Sequence, residues 1–153
     1  TNSKLVTGKV NDSYAYPMIL VNNKTLVGNN ILLIDKPSNI EVTGWVDRMK
    51  AIKYAVNADV FILPSRWEGL PISLLEAMYM KKLCVVSNVI GNRDVIHNRK
   101  NGYVCNTVEE FVSAIKENNL EYREQAYLDL MNHYDTQAQA KRYMEIYNRR
   151  LSQ

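Results

Sequence analysis

Residues 58–77, with the sequence ADVFILPSRWEGLPISLLEA, decide the fold of this chain. The apolar run at residues 59–64 has the length and continuity of a strand that is covered on both faces of a parallel sheet. A helix is predicted to follow over residues 71–80, since a proline in the first turn lacks only an N–H that would have no helical partner. Two glutamates, Glu68 and Glu76, flank this strand-to-helix junction, and their ligands are the functional question that the stretch raises.

Strands and helices alternate in the rest of the chain. Continuous apolar runs indicate the strands, and apolar residues at helical spacing indicate the helices. The predicted strands are residues 83–87 and 102–105, and the predicted helices are residues 49–58, 108–117, 120–131 and 136–151. The sequence therefore predicts an α/β fold, a Rossmann-like parallel sheet with helices on both faces and a C-terminal helical tail.

The first third of the chain is harder to interpret, and the C-terminal end departs from the alternation of strands and helices. We expect short strands over residues 4–10, 29–35 and 39–45, and a helix over residues 16–24. Asp135 can cap the last helix. The apolar positions of that helix are expected to form one buried stripe, made of Ala140, Tyr143, Met144, Tyr147 and Leu151.

The composition is that of one ordinary globular domain over residues 1–153. The chain is 46% hydrophobic and 23% charged, and its length is enough to bury about two-thirds of the unfolded surface. The net charge of +3 is small and the basic residues are scattered, which argues against a nucleic-acid partner. The first residue is threonine, so we expect a processed product or an excised fragment.

Cysteine and histidine are too few and too dispersed to predict a metal site. The two cysteines, Cys84 and Cys105, both have apolar neighbours and indicate a reduced, cytosolic protein rather than a disulfide framework. The two histidines, His97 and His133, are distant from each other and from a second ligand. No metal is therefore expected.

The loop at residues 65–71 leads from the carboxyl end of a strand into a helix, which is where open α/β sheets bind ligands. Free N–H groups and the helix dipole favour an anion such as phosphate there, and Gly69 would let the backbone approach it. A carboxylate would repel phosphate, so Glu68 and Glu76 fit better as acceptors for hydroxyl groups on either side. Two hydroxyl-bearing groups that flank a phosphate describe a nucleotide sugar.

Structural roles remain open for the same residues. Glu68 can be a solvated loop carboxylate that complements the helix dipole. Glu76 can be a buried carboxylate that pairs with a structural Arg or Lys. Arg66 and Trp67 can simply cover the edge of the sheet. Spacing alone does not decide between these roles and ligand binding.

The sequence PSRWEGLPISLLEAM, followed by VVSNVIGNRDVIHNRKNGYV, closely resembles the donor-binding half of retaining glycosyltransferases of the family 4 (group 1) type. These enzymes have the GT-B fold of two Rossmann-like domains. The family's mark is a pair of glutamates with seven residues between them, inside a Pro-Ser…Glu-Gly-Leu-Pro…Glu-Ala sequence, and here the pair is Glu68 and Glu76. The resemblance extends from about Ile40 to Val104.

The resemblance implies a role for each matching residue. Glu68 would contact hydroxyls of the transferred sugar and is the candidate catalytic residue, although not a nucleophile. Glu76 would hold the ribose hydroxyls of the nucleotide. The other implied donor-binding residues are Gly44 and Trp45 near the base, Gly69, Leu70 and Pro71 beside the sugar and diphosphate, and Lys9 and Arg66 for the diphosphate charge.

The diphosphate clamp departs from the family pattern. The family usually presents an Arg and a Lys after the first strand of this domain, whereas VTGKVNDSYAYP offers Lys9 in place of the arginine and Tyr14 in place of the lysine. Lys9 can serve a diphosphate as a point charge, or Arg66 or Arg93 contributes. The alternative is that the first 30 residues align with the family pattern in a different register, so that other residues form the clamp.

The resemblance also implies what the whole enzyme does. It would move a sugar from a nucleotide-diphosphate sugar, such as a UDP-sugar, to an acceptor hydroxyl with retained anomeric configuration, using no cofactor and no metal. An N-terminal domain would carry the site for a glycan or lipid-linked acceptor, so this chain would bind donor but be inactive alone. The family's commonest setting is bacterial polysaccharide or lipopolysaccharide synthesis, in the cytoplasm or peripherally at the inner membrane.

Three other functions remain open. A non-catalytic nucleotide-sugar-binding or regulatory domain would agree with the loss of a basic residue at Tyr14. Half of a sugar-nucleotide epimerase would share the fold and take its acid and base from another domain. A flavodoxin-like domain with an accidental motif match is the purely structural reading.

Overall fold

The computed structural model describes residues 19–21 and 47–151, and the strands predicted over residues 4–10, 29–35 and 39–45 lie outside them. The strands are β1 Ile19–Val21, β2 Val60–Leu63, β3 Leu83–Ser87 and β4 Tyr103–Cys105. The helices are α1 Arg48–Asn57, α2 Ile72–Tyr79, α3 Ile90–Val95, α4 Val108–Glu117, α5 Glu121–His133 and α6 Thr136–Leu151.

The described strands form one sheet in the order β1–β2–β3–β4. β2, β3 and β4 run parallel to one another, with Val60 opposite Leu83 and Val85 opposite Tyr103. Their carboxyl ends therefore lie at the same edge of the sheet, and the loops from this edge lead into α2, α3 and α4. The predicted α/β fold with a parallel sheet is confirmed.

β1 differs from the prediction. It pairs antiparallel with β2, with Ile19 opposite Ile62, so the helix predicted over residues 16–24 is wrong at Ile19–Val21. Two of these three residues are β-branched, which favours a strand. A short apolar run fits both periodicities, and here pairing with the buried strand β2 decides the outcome.

The two central strands contribute to a core on each face of the sheet, since successive side chains of a strand point to opposite faces. One core joins α1, α2, α3 and α5 to the sheet through Ala55, Phe61, Leu63, Leu74, Ala77, Met78, Cys84, Val86, Val95, Ala126 and Leu130. The other joins α4 to the sheet through Val60, Ile62, Leu83, Val85, Tyr103, Cys105, Phe111 and Ala114. Burial on both faces explains why β2 is apolar at every position.

The C-terminal helices agree with the prediction in extent but not in burial. β3, α4 and α6 have the predicted bounds, and Asp135 caps α6 by accepting a 3.0 Å hydrogen bond from the N–H of Gln137. The predicted buried stripe of α6 is wrong at Ala140, Tyr143 and Met144, which are exposed. Periodicity shows which residues share a face, but it does not show whether another element covers that face. No helix in the described part of the chain is long and apolar enough to cross a membrane.

Both cysteine thiols are expected to be unreactive in the folded protein. Burial raises the pKa of Cys84 to about 12. Burial, together with the charge of Glu110, raises the pKa of Cys105 to about 11. Because the thiolate is the nucleophile, neither cysteine should react with dithionitrobenzoate at about pH 8 in the native state, and both should react in denaturant. A thiol that reacts in the native protein would show that the core around it is open.

Candidate functional site

The loop between β2 and α2 lies at the carboxyl edge of the sheet. Pro71 is buried and its carbonyl accepts hydrogen bonds from the N–H groups of Leu74 at 3.0 Å and Leu75 at 3.3 Å. The helix therefore begins at Ile72, one residue after the predicted start. The first N–H groups of a helix have no intrahelical partner, so they and the positive end of the dipole are placed at this loop.

Glu68 is partly buried in the middle of the loop. The hydroxyl of Ser65 donates a 2.6 Å hydrogen bond to Oε1 of Glu68, which orients the carboxylate. Glu68 is therefore not freely solvated, and its bond to Ser65 is compatible both with a structural role in the loop and with ligand binding. An ionised carboxylate has about four acceptor positions, so this one bond leaves capacity for hydroxyl groups of a ligand.

Glu76 lies on α2 and pairs with α1. Its Oε1 is 3.2 Å from a guanidinium nitrogen of Arg48, and the two side chains are 43% and 81% exposed. The expected structural partner is thus present, but the expected burial of Glu76 is not. An exposed ion pair contributes only about 0–1 kcal/mol, so Arg48 does not prevent Glu76 from accepting hydrogen bonds from a ligand.

The start of α3 packs directly on the backbone of this loop. A Cβ added at Gly91 would overlap the carbonyl oxygen of Gly69 and lie 2.7 Å from that of Glu68. Only glycine fits here, whereas a Cβ at Gly69 would meet nothing within 4 Å. The close approach between protein segments is therefore made by Gly91, which the sequence analysis missed. Its signal was a glycine shortly after a buried strand, at the carboxyl edge.

Two polar residues, the partly buried Ser87 and the buried Asn92, connect the loop to β3 and α3. The hydroxyl of Ser87, the last residue of β3, donates to the carbonyl of Ser65. The amide of Asn92 donates to the carbonyl and to the hydroxyl of Ser87, each at 3.1 Å. The sequence shows a serine at the end of a buried strand, but it does not show which loop that serine bonds to, so this pair was also missed.

The remaining predicted site residues are partly placed. Arg66, Trp67 and Leu70 lie in the same loop and are exposed. Trp67 is 78% exposed, so it does not cover the edge of the sheet in the described structure. Arg93 is exposed on α3. The structure thus brings several donor-binding candidates to one loop, and those outside the described residues are Lys9, Tyr14, Gly44 and Trp45.

A metal site is not formed by the side chains that the structure describes. Over residues 47–151 and 19–21, no group of three or more His, Cys, Asp or Glu side chains could hold a metal ion. Whether the reaction needs a metal stays a prediction from the family resemblance.

Comparisons with known proteins identify relatives of the chain. A family model described as glycosyl transferases group 1 matches residues 22–118. The chain is 38% identical over 74 residues to the Escherichia coli UDP-Gal:alpha-D-GlcNAc-diphosphoundecaprenol alpha-1,3-galactosyltransferase, covering 47% of this chain and 19% of that protein. It is 33% identical over 110 residues to the Campylobacter jejuni N,N'-diacetylbacillosaminyl-diphospho-undecaprenol alpha-1,3-N-acetylgalactosaminyltransferase, covering 67% of this chain and 29% of that protein. The matches span less than a third of either relative.

A solved structure shares the fold. Sucrose-phosphate synthase from Thermosynechococcus elongatus superposes with a TM-score of 0.65 at 15% identity, over 85% of this chain and 39% of that chain. At this identity the likeness concerns the fold alone. Together with the family match, it confirms the expected α/β fold of the GT-B type.

The two glycines that meet at the loop give a matched test of the close contact. Gly91→Ala should destabilise the folded chain by about 1–3 kcal/mol, because its Cβ must displace the backbone of residues 68 and 69. Gly69→Ala makes the same chemical change in open space and should alter stability by less than about 1 kcal/mol. Urea denaturation measures both. Equal stabilities of the two variants would contradict the packing described here.

Proposed function

This chain belongs to the glycosyl transferases group 1 family, and we propose that it forms the donor-binding domain of a retaining glycosyltransferase. In this proposal the enzyme moves a sugar from a nucleotide-diphosphate sugar to an acceptor hydroxyl. The observation that carries the proposal is the placement of two carboxylates, Glu68 and Glu76, on either side of the N-terminus of α2.

The diphosphate would bind at the N-terminus of α2. The helix has no acidic residue in its first turn and no side-chain cap, so no carboxylate of its own competes with an anion there. The exposed guanidinium of Arg66 is in the same loop and can add positive charge. Fixed donors of this kind stabilise the negative charge that develops on the departing diphosphate.

The transferred sugar would lie on the Glu68 side. The bond from Ser65 holds one oxygen of this carboxylate at 2.6 Å, which limits its rotation and presents the remaining acceptor positions in a defined direction. Sugar hydroxyls that donate to an ionised carboxylate make the stronger, charge-assisted class of hydrogen bond. Glu68 would therefore orient the sugar for attack by the acceptor, and we do not assign it as a nucleophile. A glycosidase-type double displacement needs a second carboxyl acting as acid beside it.

The nucleotide ribose would lie on the Glu76 side. At 43% exposure the carboxylate can be reached, and its partner Arg48 is held only by an exposed pair. Two vicinal ribose hydroxyls can donate to Glu76 without burying an unpaired charge. This division assigns sugar discrimination to Glu68 and nucleotide affinity to Glu76.

The names of the relatives support a proposal for the substrate class. One is named for UDP-Gal, and both are named for an acceptor on diphospho-undecaprenol. We accordingly propose a UDP-sugar as donor and a glycan or lipid-linked acceptor, in bacterial polysaccharide or lipopolysaccharide synthesis. The acceptor would bind to a separate N-terminal domain, and transfer would occur in the cytoplasm, peripherally at the inner membrane. No metal or organic cofactor is part of the proposed reaction.

A non-catalytic nucleotide-sugar-binding domain is the second candidate, because Tyr14 stands where the family resemblance expects a basic residue. The two candidates differ in one observable. The catalytic proposal requires sugar transfer to a lipid-diphosphate acceptor when the acceptor domain is present, and the second candidate requires binding without transfer. An epimerase half would instead interconvert the UDP-sugars without an acceptor.

Calorimetric titration with UDP and UDP-galactose tests the division between the two carboxylates. Glu76→Ala should weaken both ligands about tenfold or more, since both contain the ribose. Glu68→Ala should weaken UDP-galactose by a similar factor and leave UDP within about twofold. Titration with ADP and GDP, compared with UDP, shows which nucleotide base the site prefers.

Glu145→Ala is the matched control, because it removes an exposed carboxylate from α6 and should leave both affinities unchanged. If Glu68→Ala and Glu76→Ala weakened UDP equally, the two carboxylates would not have separate ligands. If the unmodified chain bound no nucleotide at millimolar concentration, it would not be a donor-binding domain by itself.

A further inference from the structure

Asn92 is fully buried at the start of α3, next to the loop that carries Glu68. It is 0% exposed, and its amide nitrogen donates to the carbonyl and hydroxyl oxygens of Ser87. These two bonds satisfy the amide nitrogen, whereas the amide oxygen of Asn92 is buried without a hydrogen-bond partner among the described residues.

The direction of each hydrogen bond in this region is determined by the chemistry of the groups. The carbonyl of Ser87 can only accept, so the nitrogen of the Asn92 amide must face it. The same nitrogen donates to the Ser87 hydroxyl at 3.1 Å, and that hydroxyl therefore donates its own proton onward, to the carbonyl of Ser65. The Ser65 hydroxyl in turn donates to Glu68 at 2.6 Å. The chain of contacts thus runs from Asn92 through Ser87 and Ser65 to the carboxylate.

Two contacts hold the loop at different points. The Ser87 hydroxyl holds its first residue, Ser65, and Gly91 packs on the peptide that joins Glu68 and Gly69. Gly91 and Asn92 are adjacent in α3, so both contacts depend on the same short helix. The backbone on each side of Glu68 is therefore fixed relative to β3.

We propose that Ser87 and Asn92 are positioning residues for the carboxylate of Glu68, and through it for the sugar of the donor. This inference rests on the proposed function. Neither residue would touch the donor: Ser87 sets the position of Ser65, whose hydroxyl orients Glu68, and Asn92 fixes the direction in which the Ser87 hydroxyl donates. Their effect should therefore fall on the sugar-bearing ligand and not on the nucleotide.

Calorimetry on three serine variants tests the proposal. Ser87→Ala removes the donor to Ser65 and should weaken UDP-galactose about tenfold while changing UDP by less than about twofold. Ser87→Thr keeps the hydroxyl and suits a strand end, so it should bind UDP-galactose within about threefold of the unmodified chain. Ser113→Ala, at an exposed position of α4, is the control and should change neither affinity.

Backbone NMR order parameters of the ligand-free chain give a second, independent measurement. Ser87→Ala should lower the order parameters of residues 66–70 and leave those of β2 and β3 unchanged. Asn92→Ala should do the same, and Ser113→Ala should not.

The outcomes separate the two proposals. Equal weakening of UDP and UDP-galactose in Ser87→Ala, or no weakening of either, overturns the positioning role. If the unmodified chain binds neither ligand, the proposed function fails and the positioning of a donor sugar fails with it. Unchanged order parameters at residues 66–70 in Ser87→Ala overturn the inference even where the unmodified chain binds both ligands, and lower order parameters together with selective weakening of UDP-galactose support it.

Discussion

The contact between Gly91 and the peptide joining Glu68 to Gly69 is the constraint on which the site depends. The parallel pairing of β2 with β3 places the ends of both strands at one edge, so the loops that follow them must pass each other at backbone distance. A side chain at position 91 would push the β2–α2 loop away from this edge. The glycine therefore determines where the Glu68 backbone lies, and the hydrogen bond from Ser65 then orients its carboxylate.

The same edge combines groups of opposite character within one loop and one helix. The N-terminus of α2 offers unpaired N–H donors to an anion, while Glu68 and Glu76 offer acceptors to hydroxyl groups. Both carboxylates remain partly exposed, so neither pays the large cost of an unpaired buried charge. A ligand with hydroxyl groups on both sides of a diphosphate would match these charges in order, and this match is the basis of the proposed donor.

Local sequence patterns predicted the parts that depend on local chemistry. The continuous apolar runs of β2 and β3 predicted burial on both faces of the sheet, and the proline at position 71 predicted the start of α2. What the patterns could not show depends on contacts between distant segments. The strand Ile19–Val21 forms because it pairs with β2, and the apolar spacing of α6 did not show that Tyr143 is exposed. Likewise the motif identified Glu68, but the bonds through Ser87 and the contact with Gly91 need the tertiary structure.

The most direct test of the central claim is nitrogen–proton correlation NMR of the isotopically labelled chain during titration with UDP. If the carboxyl edge of the sheet is the donor site, the largest shift changes should fall on the amides of residues 68–70, 72, 73 and 76, with saturation at a single affinity. Changes confined to the outer surface of α4 or α6, or no changes at millimolar UDP, would contradict the assignment of this edge as the nucleotide-sugar site.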